Sequence, residues 1–456
     1  MPPGREGPRE GQRPSLSNWR GLPLRPSRQR DAYMDGMGST GSVSRNLPCS
    51  IQDLSVWATS RDMQLSVFRN DIIDGLQKSS GIIPAKTGAA YLRTIWLEAG
   101  DGQLRILSTD SSLEFTGQYP AKVKEQGLCG VSGRNFFELV RKLPAGEIGL
   151  KLDAASGNLL LSQGSRRYKL PVSDRNWFQS FAPFPEEGAV MWSGDFLQEL
   201  IDRVLYAISD EDTMEAMACM FLRPAENSKV EVCGLNGHMF SLVSFADDGI
   251  FGMLPEAGIL IQKKYVTELK RWLTADEIEL AISQKRLFFS AKTGGDDAAA
   301  VKQEIFSLPL SYYQYPDYHS FVSKLESEDI STMTIDRLEL MDALDRVAIF
   351  TTDNNRCAYF LFENPGELSL RSQGQEAGEA DETLECTFSG SLTKVAFPTK
   401  EITDILGHFH SAKVRLTLTG MEGPCGITGE EDAESLVIIM PMKIVEETYY
   451  SEEDIA

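Results

Sequence analysis

Cationic side chains are concentrated on two predicted helices, where their spacing suits contact with phosphate groups. Residues seven apart lie on one face of a helix, and both segments contain such pairs of cations. Lys and Arg on a rigid helix neutralise phosphates without reading a base sequence. The pattern predicts a surface for a polyanion, with an ordinary charged helix face as the alternative. The cations are Arg134, Arg141 and Lys142 in residues 131–143, and Lys263, Lys264, Lys270 and Arg271 in residues 261–273.

A third segment of the same kind, residues 397–409, is poorer in cations and offers mainly Lys400. The helix predicted before it, residues 335–350, adds Arg337 or Arg346. We therefore expect the basic surface to be uneven along the chain.

Catalytic groups form no recognisable constellation in the sequence. The two histidines at 408 and 410 do not share a helix face, because they are two positions apart. No nucleophile elbow, Walker loop, zinc-protease motif or carboxylate cluster occurs. We expect no catalytic site, no cofactor and no metal. The histidines are His238, His319, His408 and His410.

The seven cysteines are scattered and form no CxxC pair, which argues against a zinc or disulfide framework. No apolar run approaches the roughly 18 residues of a membrane span, and the N-terminal region lacks the apolar core of a secretory signal. These features together predict a reduced, cytoplasmic setting.

The net charge of −21 argues, as an average, against a nucleic-acid partner. The acids, however, are concentrated away from the basic helices, as in residues 376–385 and 430–434. An acidic exterior with a few basic helices could repel DNA from most of the surface and accept it on one face.

Three segments of about 130 residues each repeat one layout, which constrains the architecture. Each has an amphipathic helix, a strand pair, a second helix led by a short strand, and further strands. The first helices are predicted at residues 68–78, 193–209 and 335–350, the second helices at 131–143, 261–273 and 397–409, and the strands after them at 147–152, 277–282 and 413–418.

The remaining strands follow from alternating apolar residues bounded by turns. Asp101-Gly102 between two apolar runs predicts a hairpin. Residues 375–385 are interpreted as a polar, acidic hairpin loop. The strand pairs are predicted at 92–99 with 104–109, 159–163 with 167–172, 219–224 with 230–235, and 358–363 with 367–372.

The fold class is predicted as α+β, with three domains of two helices and mainly antiparallel strands. We place the domains at residues 63–184, 188–327 and 329–446, with an acidic tail at 447–456. Residues 1–62 are rich in Pro, Gly, Ser and Arg, with nine Arg against six acids. They are interpreted as disordered or as an over-extended translation start, with a basic nucleic-acid tail as the alternative.

Four short motifs, in order within this repeat, carry a family resemblance. The terminal strand, residues 436–444, contains Met440-Pro441-Met442, and the link before the third domain contains residues 315–318 (Tyr-Pro-Asp-Tyr). Residues 236–239 (Asn-Gly-His-Met) and 107–110 (Leu-Ser-Thr-Asp) complete the set. With these motifs the chain resembles the bacterial DNA polymerase III beta subunit, the sliding clamp, from about residue 63 to 444.

The resemblance implies a head-to-tail homodimeric ring of six similar domains, with helices lining the hole and sheet outside. Such a ring encircles duplex DNA and gives the polymerase processivity without catalysis. The implied partners are the polymerase III alpha subunit, the clamp loader delta subunit and other proteins with a clamp-binding motif. Lys86 stands where the family has a DNA-contacting Arg.

The resemblance also implies a groove for partner peptides between the second and third domains. Its methionines would suit a surface that repacks around several ligands. The alternative is that the terminal strand residues are simply core. The implied residues are Met217, Leu235, Gly237, His238, Met239, Phe240, Pro316, Phe321, Pro424, Ile438, Met440, Pro441 and Met442.

For the dimer seam, the resemblance implies that Tyr168 and Leu170 on an edge strand meet Ile349 and Phe350 of the other subunit. Pairing would complete an exposed strand edge. The alternative places Ile349 and Phe350 in the core of their own domain.

Some positions depart from the family pattern and indicate a change in partner specificity. Met239 stands where the family motif has Arg, and Asn236 stands where it has Asp. After the Tyr-Pro-Asp-Tyr motif, where the family has a basic residue, this chain has His319 followed by Ser320. The alternatives are a specialised clamp paralogue with altered partners and an unrelated three-domain enzyme or carbohydrate-binding protein.

Overall fold

The computed structural model describes residues 63–84, 89–153, 155–210, 215–273, 277–293, 302–327, 329–351, 356–374 and 378–444. The predicted extension 1–62, Lys86 and the acidic tail lie outside these residues.

All six predicted amphipathic helices are present, together with two short helices. Five of the six are shorter than predicted by a few residues at their ends, whereas the first continues to Ile82, four residues past its predicted end. The helices are α1 Arg69–Ile82, α2 Gly133–Lys142, α3 Gly194–Leu205, α4 Asp248–Met253, α5 Lys263–Trp272, α6 His319–Val322, α7 Arg337–Ala348 and α8 Thr399–Gly407.

Helix α7 shows why these segments fold as the period predicts. The Asp336 side chain caps it by accepting from the Glu339 amide at 3.0 Å, which satisfies one of the free N–H groups of the first turn. Leu340, Leu344 and Val347, spaced four and three apart, are fully buried. One apolar stripe therefore faces the core while the charged face stays in solvent.

The strands are mostly short and antiparallel. The first nine are β1 Gln64–Phe68, β2 Thr94–Gly100, β3 Gln103–Thr109, β4 Glu114–Pro120, β5 Lys122–Glu125, β6 Gly127–Ser132, β7 Glu147–Asp153, β8 Asn158–Gln163 and β9 Arg166–Ser173. The next eight are β10 Val190–Ser193, β11 Cys219–Pro224, β12 Lys229–Leu235, β13 Met239–Ala246, β14 Ile259–Gln262, β15 Glu277–Ser283, β16 Arg286–Thr293 and β17 Lys302–Pro309. The last eight are β18 Ser331–Asp336, β19 Cys357–Leu361, β20 Glu367–Gly374, β21 Gly378–Ser389, β22 Lys394–Pro398, β23 Lys413–Leu418, β24 Cys425–Gly429 and β25 Ser435–Ile439.

The predicted hairpin at Asp101-Gly102 is confirmed. Both residues have positive φ, 49° and 73°, as a two-residue hairpin turn of this kind requires. The turn sets the register, because Gly100 pairs with Gln103 at the end of β2 and β3. The other predicted strand pairs, β8–β9, β11–β12 and β19–β20, are confirmed as well.

The prediction of a polar, acidic loop at residues 375–385 is wrong for residues 378–385, which belong to a strand. Residues 378–389 form strand β21, which pairs antiparallel with both β20 and β18; residues 375–377 lie outside the described part of the chain. Its acids alternate with apolar residues, since Leu384 is buried while Glu379 and Glu385 are exposed. A strand with one solvated face tolerates such a composition.

The chain divides into two units. In the described residues, the amino-terminal unit comprises 63–198 and 264–311, and the carboxy-terminal unit comprises 199–263 and 312–444. Residues 188–327, predicted as the second domain, contribute to both. The three predicted domain boundaries therefore stay a prediction.

Each unit is built on one antiparallel sheet. In the amino-terminal unit the described strands follow the order β10-β15-β16-β17-β4-β3-β2-β6-β9-β8-β7-β1-β5, and in the carboxy-terminal unit β14-β11-β12-β13-β25-β24-β23-β18-β21-β20-β19-β22. Helices pack on these sheets around separate cores. The α+β class is confirmed.

No helix among the described residues has both the length and the apolar character needed to cross a membrane.

Candidate nucleic-acid and peptide interfaces

Helix α2 carries its predicted cations on an exposed face. Phe136 and Val140 anchor it in the core, which leaves Arg134, Arg141 and Lys142 in solvent. The Arg141 guanidinium donates to Glu138, one turn earlier, with Nη2 2.7 Å from Oε2. Arg141 and Lys142 lie in the last turn, where a cation also complements the helix dipole.

A further cation, Arg69, reaches the same end of α2. Its Nε and Nη2 donate to the carbonyls of Val140 and Arg141 at 3.2 and 2.8 Å. These are carbonyls that the helix leaves unsatisfied at its C-terminus. The equivalent residue of α7, Arg337, donates from Nε to Ser411 O at 2.9 Å and from Nη1 to Leu406 O at 3.4 Å near the end of α8.

Helix α5 carries the four other predicted cations, which the structure places in different surroundings. The Lys263 amino group donates to Ile208 O and pairs with Asp210, both at 2.7 Å, so it is held against its own unit. Lys264 is exposed, and the Arg271 guanidinium pairs with Glu268 at 2.6 Å. Lys270 is half-buried in the last turn.

In the third repeat, Lys400 is the exposed cation of α8. Arg337 is engaged in capping, and Arg346 makes a two-pronged contact with Glu382, with Nε and Nη2 2.9 and 2.7 Å from its oxygens. Both are thus committed to intramolecular contacts. The expectation of an uneven distribution of cations agrees with this geometry.

Predicted groove residues gather on one face of the β11–β12–β13–β25 sheet. Their cluster, called here the Phe240 cluster, is covered by residues 315–325. The cluster consists of buried Cys219, Phe221, Cys233, Phe240, Leu242, Leu260, Tyr318 and Ile438, with partly buried Leu235, Tyr315, Phe321, Val322, Leu325 and Leu436. Leu235, Phe240, Phe321 and Ile438 are therefore brought together.

Strand alternation turns Met239 away from them. Met239 is only 7% exposed and belongs to the core of the third repeat, on the other face of the sheet from Phe240. Its replacement of a basic residue therefore alters a buried position, and Met239 does not line the Phe240 face with the other predicted groove residues.

The loop between β12 and β13 is held by Asn236, whose carbonyl Oδ1 accepts from the amides of His238 and Met239 at 3.1 and 3.0 Å. Gly237 has a positive φ of 88°, which favours glycine. A Cβ there would lie 3.5 Å from the Met217 methyl. Met217, Gly237 and His238 are thus neighbours at the exposed end of the cluster.

The terminal strand, β25, lies beside β13 in the same sheet. Phe240 pairs with Ile438, and the Met440 amide donates to His238 O at 2.9 Å. Met440 is 40% exposed, Pro441 and Met442 are half-buried, and Pro424 is buried. Pro316 and Phe321 come from the covering residues.

The predicted seam residues differ in exposure. Phe350 is half-buried, and Tyr168 and Leu170 are half-buried on β9 and pack against the core of their own unit. Among the described strands, β9 pairs with β8 along its length and with β6 at Val172 and Ser173, so its second edge has no strand partner there over residues 166–171. Ile349, just beyond α7, is 72% exposed.

Sequence reasoning missed a buried polar group in the carboxy-terminal unit. Arg203 of α3 contacts Asp432, Glu199, Ser435 and the His410 ring. No local sequence pattern predicts this contact, because Arg203 and Asp432 are far apart in the sequence.

The described residues contain no cluster of three or more metal-ligating side chains. Burial raises the pKa of the Cys129 thiol to about 12, although Arg175 opposes the shift, and burial also raises the pKa of Cys233 and Cys425. These thiols are therefore kept protonated and poorly nucleophilic.

Comparison with known proteins adds independent findings. Residues 63–181 match the family model described as the DNA polymerase III beta subunit, N-terminal domain, and residues 325–443 match that of its C-terminal domain. The two matches together span more than half of the 456 residues.

Similar whole proteins and structures agree. The beta sliding clamps of Caulobacter vibrioides and Escherichia coli K12 are 22% and 23% identical, each over 84% of this chain and all of the relative. The crystal structure of the Pseudomonas aeruginosa DNA polymerase III subunit beta has a TM-score of 0.74 at 22% identity and covers 84% of this chain and all of that chain.

Proposed function

The chain belongs to the family of DNA polymerase III beta subunits, the DNA sliding clamps, and on this premise we propose how its residues carry the function. Two copies close head to tail into a ring around duplex DNA and tether the polymerase, with no chemistry of their own. The expected setting is the nucleoid in the cytoplasm. The comparisons give no support to a specialised paralogue.

For the DNA surface, the observation that carries the proposal is the exposure of cations on two repeat-equivalent helices. Arg134 and Lys142 on α2, and Lys264 and Arg271 on α5, are solvent-exposed on helices whose opposite faces are buried. Lys400 adds an exposed cation on α8. Such contacts are non-specific and individually weak, as movement along the duplex requires.

Loading onto DNA tests this surface. Reversing Arg134, Lys142, Lys264 and Arg271 to Glu should reduce the amount of protein that the cognate loader places on nicked circular plasmid by about tenfold or more, since each phosphate contact contributes to affinity. The control reverses Lys151 and Lys292, exposed cations on strands, and should load as the wild-type protein does. Linearising the plasmid should release the wild-type ring. Equal loading of both variants would refute the assignment.

For partner proteins, we propose that peptides bind at the exposed end of the Phe240 cluster, beside Met217, His238 and Met440. Polymerase, clamp-loader and related subunits would supply the peptide. An apolar surface with a flexible methionine supports anchors such as Leu and Phe. Deleting residues 440–446 should abolish binding of a labelled Gln-x-x-Leu-Phe peptide in fluorescence polarisation while the ring persists.

A further inference from the structure

A polar triad anchors the covering residues at the end of the Phe240 cluster remote from the β12–β13 loop. The Tyr318 hydroxyl donates to the Glu231 carboxylate, and the Arg223 Nε donates to the same oxygen, Oε2, at 2.9 Å. Arg223 and Glu231 face each other across β11 and β12. The Arg223 guanidinium also lies over the Tyr318 ring, 5.2 Å from its centroid.

The Tyr318 hydroxyl stays protonated and can therefore donate. Tyr318 is 2% exposed, and burial, the neighbouring Cys233 and the contact with Glu231 all raise the pKa of its hydroxyl. The phenol therefore keeps its proton at any physiological pH and donates to a charged acceptor, which makes the bond stronger than one between neutral groups.

His319, the next residue, extends the group to the surface. Its Nε2 lies 2.6 Å from the Arg223 Nη2. Because a guanidinium can only donate, Nε2 accepts in this contact. The position following the Tyr-Pro-Asp-Tyr motif is thus occupied by a side chain that steadies Arg223.

The first residues of α6 connect Tyr318 to the predicted groove. The amides of Phe321 and Val322 donate to the Tyr318 carbonyl at 3.2 and 3.1 Å. The Phe321 ring then packs edge-on against Phe240, with centroids 5.3 Å apart. Tyr318 itself stacks on Phe240 at 5.0 Å. Fixing Tyr318 therefore fixes where Phe321 stands over the sheet.

Tyr315 offers a contrast within the same cluster. It stacks on Phe221 with centroids 4.6 Å apart, yet its hydroxyl is buried and has no hydrogen-bond partner in the part of the chain that the structure describes. Packing alone holds this ring. The polar tether of the covering residues is concentrated at Tyr318.

We propose that Tyr318, Glu231 and Arg223 are positioning residues for peptide binding, which hold Phe321 against Phe240 so that the groove is formed before a peptide arrives. The inference rests on the proposed peptide site. A preformed wall avoids the ordering cost that a loose wall would add to each binding event. Loss of the tether should therefore weaken peptide binding even where the fold survives.

The test compares two hydroxyl deletions. Tyr318→Phe and Tyr315→Phe each remove one oxygen from the same cluster, and binding is read with a fluorescein-labelled Gln-Leu-Ser-Leu-Phe peptide. Tyr318→Phe should raise the Kd about tenfold or more, because it removes a hydrogen bond to a charged acceptor. Tyr315→Phe should stay within about twofold, because the hydroxyl it removes has no partner among the described residues. Amide hydrogen exchange of residues 319–325 should quicken in Tyr318→Phe alone.

The acceptor is tested separately. Glu231→Gln keeps an oxygen that can accept from Tyr318, so it should lose less affinity than Glu231→Ala. Unchanged Kd in Tyr318→Phe, or equal losses in both tyrosine variants, would overturn the inference while leaving the peptide site standing. If the wild-type protein fails to bind the peptide, the proposed site falls and the inference with it.

Discussion

The Arg203 guanidinium donates to the buried carboxylate of Asp432, with Nη2 2.9 Å from Oδ1, inside the carboxy-terminal unit. Asp432 is 0% and Arg203 5% exposed. The other carboxylate oxygen accepts from the Ser411 amide and hydroxyl at 2.9 and 2.7 Å. The pair joins α3 to the turn before β25, because Arg203 also donates to Ser435 at 2.8 Å.

Removing one member of this pair should be costly. Asp432→Ala leaves a buried guanidinium short of its partner, and we expect a loss of about 3–5 kcal/mol in the free energy of unfolding. Urea denaturation measures it. The control is Asp381→Ala, which breaks an exposed pair with Arg371 and should change stability by no more than about 1 kcal/mol. Similar losses in both variants would contradict the buried role.

The same carboxylate should make stability depend on acid pH. Burial raises the pKa of Asp432, but the Ser411 bonds and Arg203 outweigh burial and hold the pKa below its ordinary value. A lowered pKa in the folded state means that the unfolded state binds the proton first. The contribution is therefore complete above about pH 4, the ordinary value, and is lost as pH falls further.

Urea midpoints measured from pH 6 downwards check this. The wild-type protein should lose more stability below about pH 4 than Asp432→Asn, which cannot titrate there. Parallel pH dependence in the two proteins would show that Asp432 titrates alike in both states.

The intrahelical ion pairs should moderate DNA affinity. Glu138→Gln and Glu268→Gln together release Arg141 and Arg271, so affinity for a short duplex at low salt should rise about three- to tenfold, with a steeper salt dependence. Glu279→Gln, which releases Lys292 on a strand, is the control and should have little effect. Fluorescence anisotropy at two salt concentrations measures both quantities.

The seam should depend on the residues after α7. Ile349→Ala with Phe350→Ala removes apolar surface from the proposed subunit contact and should shift the protein towards monomer in sedimentation velocity, since buried apolar area drives such contacts. Leu338→Ala, on α7 and 58% exposed, should leave the dimer intact. A full dimer in the double variant at low concentration would place the seam elsewhere.

Two glycines of α1 should respond oppositely to alanine. A Cβ at Gly75 would lie 1.6 Å from the Tyr119 hydroxyl, whereas one at Gly81 meets nothing within 4 Å. Gly75→Ala should destabilise by about 1–3 kcal/mol through overpacking, and Gly81→Ala should stabilise by up to about 1 kcal/mol. Thermal unfolding compares them, and equal effects of the two substitutions would contradict the close approach of Tyr119 to Gly75.

The sequence allowed the helices and about half of the 25 described strands to be predicted, because their apolar periods are local. Strand β21 was not predicted because its many acids are typical of a loop, although Leu384 is buried. The Arg203–Asp432 pair and the contacts of Tyr318 were not predicted because each joins segments distant in the chain. The capping roles of Arg69 and Arg337 were not predicted because they arise only when two helices of one repeat meet.

For the proposed clamp, the ion pairs on α2 and α5 imply low friction. Arg141 and Arg271 already have carboxylates at 2.7 and 2.6 Å. A passing phosphate therefore replaces one anion by another, and little net energy is gained or lost at each exchange. The duplex would meet a nearly level potential along its axis. Such a bearing surface permits rapid one-dimensional diffusion, and topology, rather than adhesion, keeps the ring on DNA.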